Sequence, residues 1–123
     1  MTTTRPAAPA GDAVEHRQCD GALVRAFGFL GKRWNGMLLA VLGQGPAGFA
    51  ELKRALGISD SVLSDRLAEL AGADLVARTV VAGPPLSVTY ALTDAGEALL
   101  PALRALGDWA RVNLTDERCA GLR

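Results

Sequence analysis

Two cysteines, Cys19 and Cys119, are the side chains of this 123-residue chain best suited to nucleophilic or redox chemistry. They stand a hundred residues apart, and the single histidine, His16, lies three residues before Cys19. That spacing assembles no metal-ligand set, and no Ser/His/Asp arrangement is suggested, so neither a metal, a cofactor nor an enzymatic reaction is expected. His16 reads as a solvated residue, with tuning of the Cys19 thiol as the sharper reading. Cys is often a small buried hydrophobe. Cys19, however, lies outside any apolar run and just before a helix start, whose unpaired N–H groups favour an anion; Arg17 adds to this and Asp20 opposes it. Cys119 sits in the polar stretch TDERCAGLR and is expected to be exposed.

The run from Gly43 to Gly48 matches the G-x-G-x-x-G pattern of dinucleotide folds. Such folds need a strand before the glycines and a long βαβ unit around them. A helical pattern precedes them here, so a Gly/Pro turn between two helices is the better account.

A stronger signal lies in residues 59–70. Ser59 is a helix N-cap, with Val62, Leu63, Leu67 and Leu70 assigned to one face. At about 100° per residue, Leu67 and Leu70 fall within about 40° of Leu63 and define the buried side. Ser61, Ser64, Asp65 and Ala68 fall opposite. Small residues let a helix sink into a DNA major groove, where hydroxyls meet base edges or phosphates. Arg66, at the boundary, either reaches DNA or pairs with a neighbouring carboxylate. An ordinary amphipathic helix with a solvated face is the plainer reading of the same pattern.

The elements around this helix favour the DNA reading. Leu23, Phe27 and Leu30 form the stripe of a first helix capped by Asp20, and Gly31 interrupts it. Trp34, Met37, Leu38, Val41 and Leu42 give a second helix, closed by Gly43 and Gly45. Phe49, Leu52 and Leu56 form a short third helix that ends at Gly57. Joined to the helix after Ser59, this makes a helix-turn-helix. Beyond Leu75 the period becomes two, from Val76 to Val81 and again at Val88, Tyr90 and Leu92, around a Gly83-Pro84-Pro85 turn: a β-hairpin. Thr93 caps a last helix carrying Leu99, Leu103, Leu106 and Ala110, with Leu100 and Trp109 beside them. Pro101 is expected to kink or restart it. The expected fold class is mainly α with a small β-hairpin, a winged helix-turn-helix dimerising through its N- and C-terminal helices. The expected organisation is a flexible tail over 1–15, the winged domain over 16–114 and a C-terminal tail over 115–123.

Composition agrees with one globular domain. Half the residues are apolar, and thirteen basic residues balance thirteen acidic ones. No apolar run approaches the roughly 18 residues of a membrane span, and no secretory pattern opens the chain, so a cytoplasmic protein with reduced thiols is expected. The neutral total hides a gradient. Residues 17–54 hold six basic residues against two acidic (+4), whereas 55–123 hold six against nine (−3). A basic segment suits a polyanion on one face.

Several motifs carry a family resemblance. They are Cys19, Leu30-Gly31-Lys32-Arg33-Trp34-Asn35-Gly36, Gly45-Pro46, Phe49-x-Glu51-Leu52, Gly57-Ile58-Ser59, Leu63-x-x-Arg66-Leu67-x-x-Leu70, Pro84-Pro85, Tyr90-x-Leu92-Thr93-x-x-Gly96 and Trp109. In this order the chain, over roughly 19–112, resembles the MarR-like HxlR family of winged-helix transcriptional regulators, and most closely its quinone- and electrophile-sensing branch. The resemblance implies a homodimer built from first and last helices, repression of detoxification genes, a sensing thiol at Cys19 and a disulfide to Cys119 of the other subunit. The chain departs from the family pattern at Gly48 and Leu86, where basic residues are common, and at Asp20, where Pro usually follows the cysteine. Asp74 replaces a glycine before the first wing strand and can adopt the same left-handed backbone.

The resulting expectation is a homodimeric regulator of a double-stranded DNA operator, an inverted repeat, with a small electrophile or quinone as effector and no membrane partner. Ser59, Ser61, Ser64, Asp65 and Arg66 are the candidate readers, and Lys53, Arg54 and Arg78 the candidate phosphate contacts. Two alternatives stand beside it. One is a non-covalent ligand pocket lined by Phe27, Phe29, Trp34 and Trp109; the other is a winged helix that binds protein.

Overall fold

The computed structural model describes residues 17–114 and 116. The expected tails, with His16 and Cys119, fall outside these apart from Asp116. Among the described residues are helices α1 (Gly21–Leu30), α2 (Asn35–Leu42), α3 (Phe49–Leu56) and α4 (Asp60–Gly72), strands β1 (Val76–Val81) and β2 (Ser87–Leu92), and helix α5 (Asp94–Asn113). This is a winged helix-turn-helix. The chain divides into two compact units, one through Gly31 and one from Lys32 onward.

In the first unit, Asp20 caps α1 as its sequence position predicts: one carboxylate oxygen accepts from the Ala22 and Leu23 N–H groups at 2.8 and 3.3 Å. No residue of α1 is buried. Leu23, Val24 and Phe27 are all exposed, Phe27 to 60%.

The second unit has a leucine core. Leu38 and Leu39 of α2, Leu52 of α3, and Leu63 and Leu70 of α4 are fully buried, with Leu42, Ile58, Leu67, Val76 and Leu100 around them. Leu63, Leu67 and Leu70 thus form the buried face of α4 as expected. Three expectations need correction. Val62 is exposed, because it lies about 100° from Leu63 around the helix. Met37 is exposed and Trp34 precedes α2; α2 is apolar all round, so its period does not reveal which side faces inward. Of the two readings of Pro101, a kink or a restart, the restart is ruled out, since the last helix runs without a break from Asp94 to Asn113. Pro101 is exposed, so its ring meets no packed neighbour, and the fold gives up one backbone hydrogen bond there.

β1 and β2 pair antiparallel in the register Val76↔Leu92 through Val81↔Ser87. A further rung joins Tyr90 to Ala47, within the glycine-rich run, so that run is a turn plus an edge pairing and is preceded by a helix. α4 ends at Gly72, and two residues on Asp74, whose φ of 64° is left-handed, closes it, with Leu75 N–H donating back to the Leu70 carbonyl at 3.0 Å. Thr93 then starts α5. Its hydroxyl donates to the Asp74 carbonyl at 2.7 Å and accepts from Gly96 N–H at 3.1 Å. Gly96 is buried so tightly that a Cβ there would lie 2.3 Å from the Leu75 carbonyl oxygen.

Gly96→Ala is therefore expected to destabilise the protein by roughly 1–3 kcal/mol, since a backbone atom must shift. Gly107→Ala on the same helix meets nothing closer than 3.9 Å and is expected to stabilise by about 0.5–1 kcal/mol through helix propensity. Thermal denaturation of the two variants checks the opposite signs.

Candidate nucleic-acid interface and thiol site

The helix-turn-helix is built by local chemistry. Gly48 N–H donates to Glu51 Oε1 at 3.1 Å and starts α3. Gly57, at φ 65°, ends it, with its N–H on the Lys53 carbonyl at 2.8 Å. Ser59 Oγ accepts from Val62 N–H at 3.3 Å and starts α4. Between them Ile58 is buried and anchors the turn. This leaves Ser59, Ser61, Ser64, Asp65 and Ala68 exposed on α4, the first four all singled out as candidate readers. Asp65 is acidic; a carboxylate on such a face repels phosphate and suits a cytosine amino group.

The candidate cations fare differently from one another. Lys53 Nζ is held by Asp60 Oδ1 at 2.7 Å, across the turn. Arg54 and Arg78 are exposed and form no ion pair among the described residues. Arg78 lies on β1 opposite Tyr90. Beyond it the hairpin tip carries no charge, and Val80, Val81 and Leu86 are exposed, Leu86 to 69%. Arg66 takes the second of its two sequence readings. Its Nη1 lies 2.6 Å from Glu69 Oε1, and its side chain is 19% exposed.

Glu69, not singled out from sequence, is the centre of a polar cluster. Besides Arg66, it accepts from Lys32 Nζ at 3.2 Å and from Asn35 Nδ2 at 3.4 Å. Arg66 also donates to Asn35 Oδ1 at 3.4 Å. Asn35 is completely buried. Trp34, at φ 84°, turns the chain so that Asn35 points inward, and the Arg33 guanidinium lies 4.9 Å over the Trp34 ring. The Arg66–Glu69 spacing of three residues was the available sequence signal; Lys32 and Asn35 lie too far along the chain to be read that way. Hydrogen bonding from Lys32 is the main cause that holds the Glu69 carboxyl below its ordinary value of 4.5; burial opposes it, and the charge and hydrogen bond of Arg66 act with Lys32 to outweigh that opposition.

Cys19 is exposed with a free thiol, immediately before the Asp20 cap. The Ala22 and Leu23 N–H groups that a thiolate would seek are occupied by Asp20. With Leu23, Val24, Phe27 and Gly28, Cys19 borders an open hollow of about 780 Å³. Phe29 is half-buried on α1, Trp34 half-buried before α2, and Trp109 exposed on α5.

Residues 29–118 match the family model described as HxlR-like helix-turn-helix. The chain belongs to the HxlR family. It is 41% identical over 86 residues to the HTH-type transcriptional regulator YodB of Bacillus subtilis, covering 69% of this chain and 77% of YodB. The reduced form of YodB superposes with a TM-score of 0.69 at 37% identity, over 76% of this chain and 92% of that one. YodB is also solved diamide-treated and quinone-bound, each at TM-score 0.66 and 36% identity, over 77% and 76% of this chain and 95% and 98% of the respective solved chains. The redox regulator HypR in its reduced form gives 0.73 at 27% identity, over 77% and 95% of the two chains. As an HxlR protein this chain is a DNA-binding transcriptional regulator and not an enzyme. Among the described residues no helix is long and apolar enough to cross a membrane.

A carboxylate with a lowered pKa stabilises the fold above its ordinary value, and that contribution is lost as pH falls through the lowered one. Wild type is therefore expected to lose stability faster than Glu69→Gln as pH drops below about 4.5. Denaturant midpoints measured between neutral and acid pH compare the two slopes.

Proposed function

We propose that this HxlR protein is a homodimeric repressor whose hold on an inverted-repeat operator is released when an oxidant, quinone or other electrophile modifies Cys19. The observation that carries the reading is the position of Cys19: an exposed thiol at the mouth of an apolar hollow on α1. In the dimer the aliphatic and aromatic surface of Leu23, Val24 and Phe27 is shared between the partner subunit and a flat apolar electrophile held beside the sulfur. A quinone reacts by addition. The sulfur bonds to a ring carbon, the thiol proton ends on one ring oxygen, the hydrogen of the attacked carbon moves to the other as the ring becomes aromatic, and the product is a hydroquinone thioether. A dehydrogenating oxidant such as diamide instead takes two hydrogens, one from each of two thiols, as the S–S bond forms. The second thiol in this reading is Cys119 of the other subunit. The solved reduced, diamide-treated and quinone-bound states of YodB support this branch of the family as the right comparison.

Dimerisation rests on apolar surface. Leu23, Val24 and Phe27 on α1 are exposed, and so are Leu106, Trp109 and Val112 on α5. Helices that present such stripes to water are covered by a partner. In the DNA complex, α4 enters the major groove with Ser61, Ser64 and Asp65 towards the bases, and Arg54 and Arg78 contact phosphates. Lys53, already neutralised by Asp60, adds less.

Three outcomes are expected. Sedimentation gives a dimer at micromolar concentration without DNA. Arg54→Ala and Arg78→Ala each reduce the log–log salt slope of operator binding by about 1, and Lys53→Ala reduces it less. Cys19→Ser binds operator normally but is not released by diamide or a quinone in a gel shift. Release of this variant overturns the sensing role. Release of wild type without a cross-linked dimer on non-reducing electrophoresis removes Cys119 from the mechanism and leaves Cys19 in it.

A further inference from the structure

We propose that Glu69 is a positioning residue for DNA reading. Its carboxylate fixes the rotation of α4 about its own axis and keeps Arg66 off the duplex, so that the serines of α4, and not the arginine, carry sequence discrimination. This rests on the reading of α4 as the helix that enters the groove.

The geometry has three parts. First, Arg66 lies about 140° around the helix from Ser61, at about 100° per residue, so it starts on the flank of α4 and not on its exposed face. Second, it is committed there: Nη1 reaches Glu69 Oε1 at 2.6 Å and Asn35 Oδ1 at 3.4 Å, with only 19% of its side chain exposed. Third, the donors to Glu69 come from separate places. Lys32 precedes α2, Asn35 is its first residue and fully buried, and Arg66 belongs to α4 itself.

The packing explains why such a device is needed. α4 rests on Leu63, Leu67 and Leu70. A ridge of leucines holds a helix down but resists small rotations weakly, because apolar contact is not directional. Hydrogen bonds to a charged acceptor are directional and stronger than neutral ones. Base reading needs groups held to about 0.5 Å and 10–20°. The Lys32-Arg33-Trp34-Asn35 run thereby acquires a role, since the left-handed backbone of Trp34 delivers the Lys32 and Asn35 side chains to one carboxylate.

The test uses the full chain, reduced. The probes are the tightest duplex that wild type selects from random-sequence DNA, its full set of single-base-pair substitutions, and an unrelated duplex. Glu69→Gln is expected to bind the selected duplex at least about tenfold more weakly, a loss comparable to one mismatched base pair. Its affinity for the unrelated duplex is expected to hold or rise, because two cations are freed. Preference across the substituted set is expected to flatten at every position together. Lys32→Gln does the same to a smaller degree with less risk to folding, and Lys32→Arg retains discrimination. An equal loss on selected and unrelated DNA, or no loss on either, overturns the proposal. So does loss of preference at a single base pair in Arg66→Ala, which makes Arg66 a reader. Ser61→Ala and Ser64→Ala separate the two levels: if they leave the substituted set unchanged, α4 is not the reading helix; if they change it while Glu69→Gln does not, only the positioning role fails.

Discussion

The Glu69 carboxylate joins the residues ahead of α2 to the second half of α4, and few other polar contacts span that distance along the chain. Lys32 and Asn35 lie 37 and 34 residues before it, yet both donate to it. Around this acceptor the leucine core is free to be purely apolar. Asn35 is the only fully buried polar side chain among the described residues, and its bonds to Glu69 and Arg66 make that burial tolerable. Removing either partner takes a hydrogen bond from a buried polar group, which is costlier than losing a surface pair.

The same cluster redistributes charge. From the sequence, residues 17–54 carry an excess of four positive charges. In the fold, Lys53 faces Asp60, while Lys32 and Arg66 share Glu69. The field around the helix-turn-helix is thus weaker than the residue count implies, and among the described residues Arg54 and Arg78 stand out as its cations without an ion pair on α3 and β1. Beyond Arg78, Val80, Val81 and Leu86 give the wing an apolar surface. In the proposed DNA complex, discrimination by short side chains on α4 has correspondingly greater weight.

Local signals were legible in the sequence. The caps at Asp20, Ser59 and Thr93, the glycine stop at Gly57 and the change of period at Val76 each depend on residues within a turn of one another, whereas the left-handed Asp74 follows from the family resemblance. The exposed face of α4 followed from the angular separation of serines and leucines. What escaped was set by tertiary contact. Nothing in the neighbourhood of Trp34 announces a left-handed backbone, which holds because the surrounding structure fixes it. Glu69 looked like one more surface carboxylate until Lys32 and Asn35 were brought to it. Met37 was placed inward because every position of α2 is compatible with burial. The Ala47–Tyr90 pairing was hidden in a stretch whose glycines read only as a turn.

α1 has ten residues and no buried side chain. An isolated helix of that length does not sustain itself in water; about 12–15 residues are marginal even for favourable sequences. In the proposed homodimer its order is tied to the partner surface that covers Leu23, Val24 and Phe27, and mass action makes such order a function of concentration. The thiol of Cys19 sits at the end of this segment, beside a cap that exists only while the helix is wound. In that dimer the chemical surroundings of the sulfur vary with the amount of protein present, so abundance and thiol reactivity are joined in a single short stretch of chain.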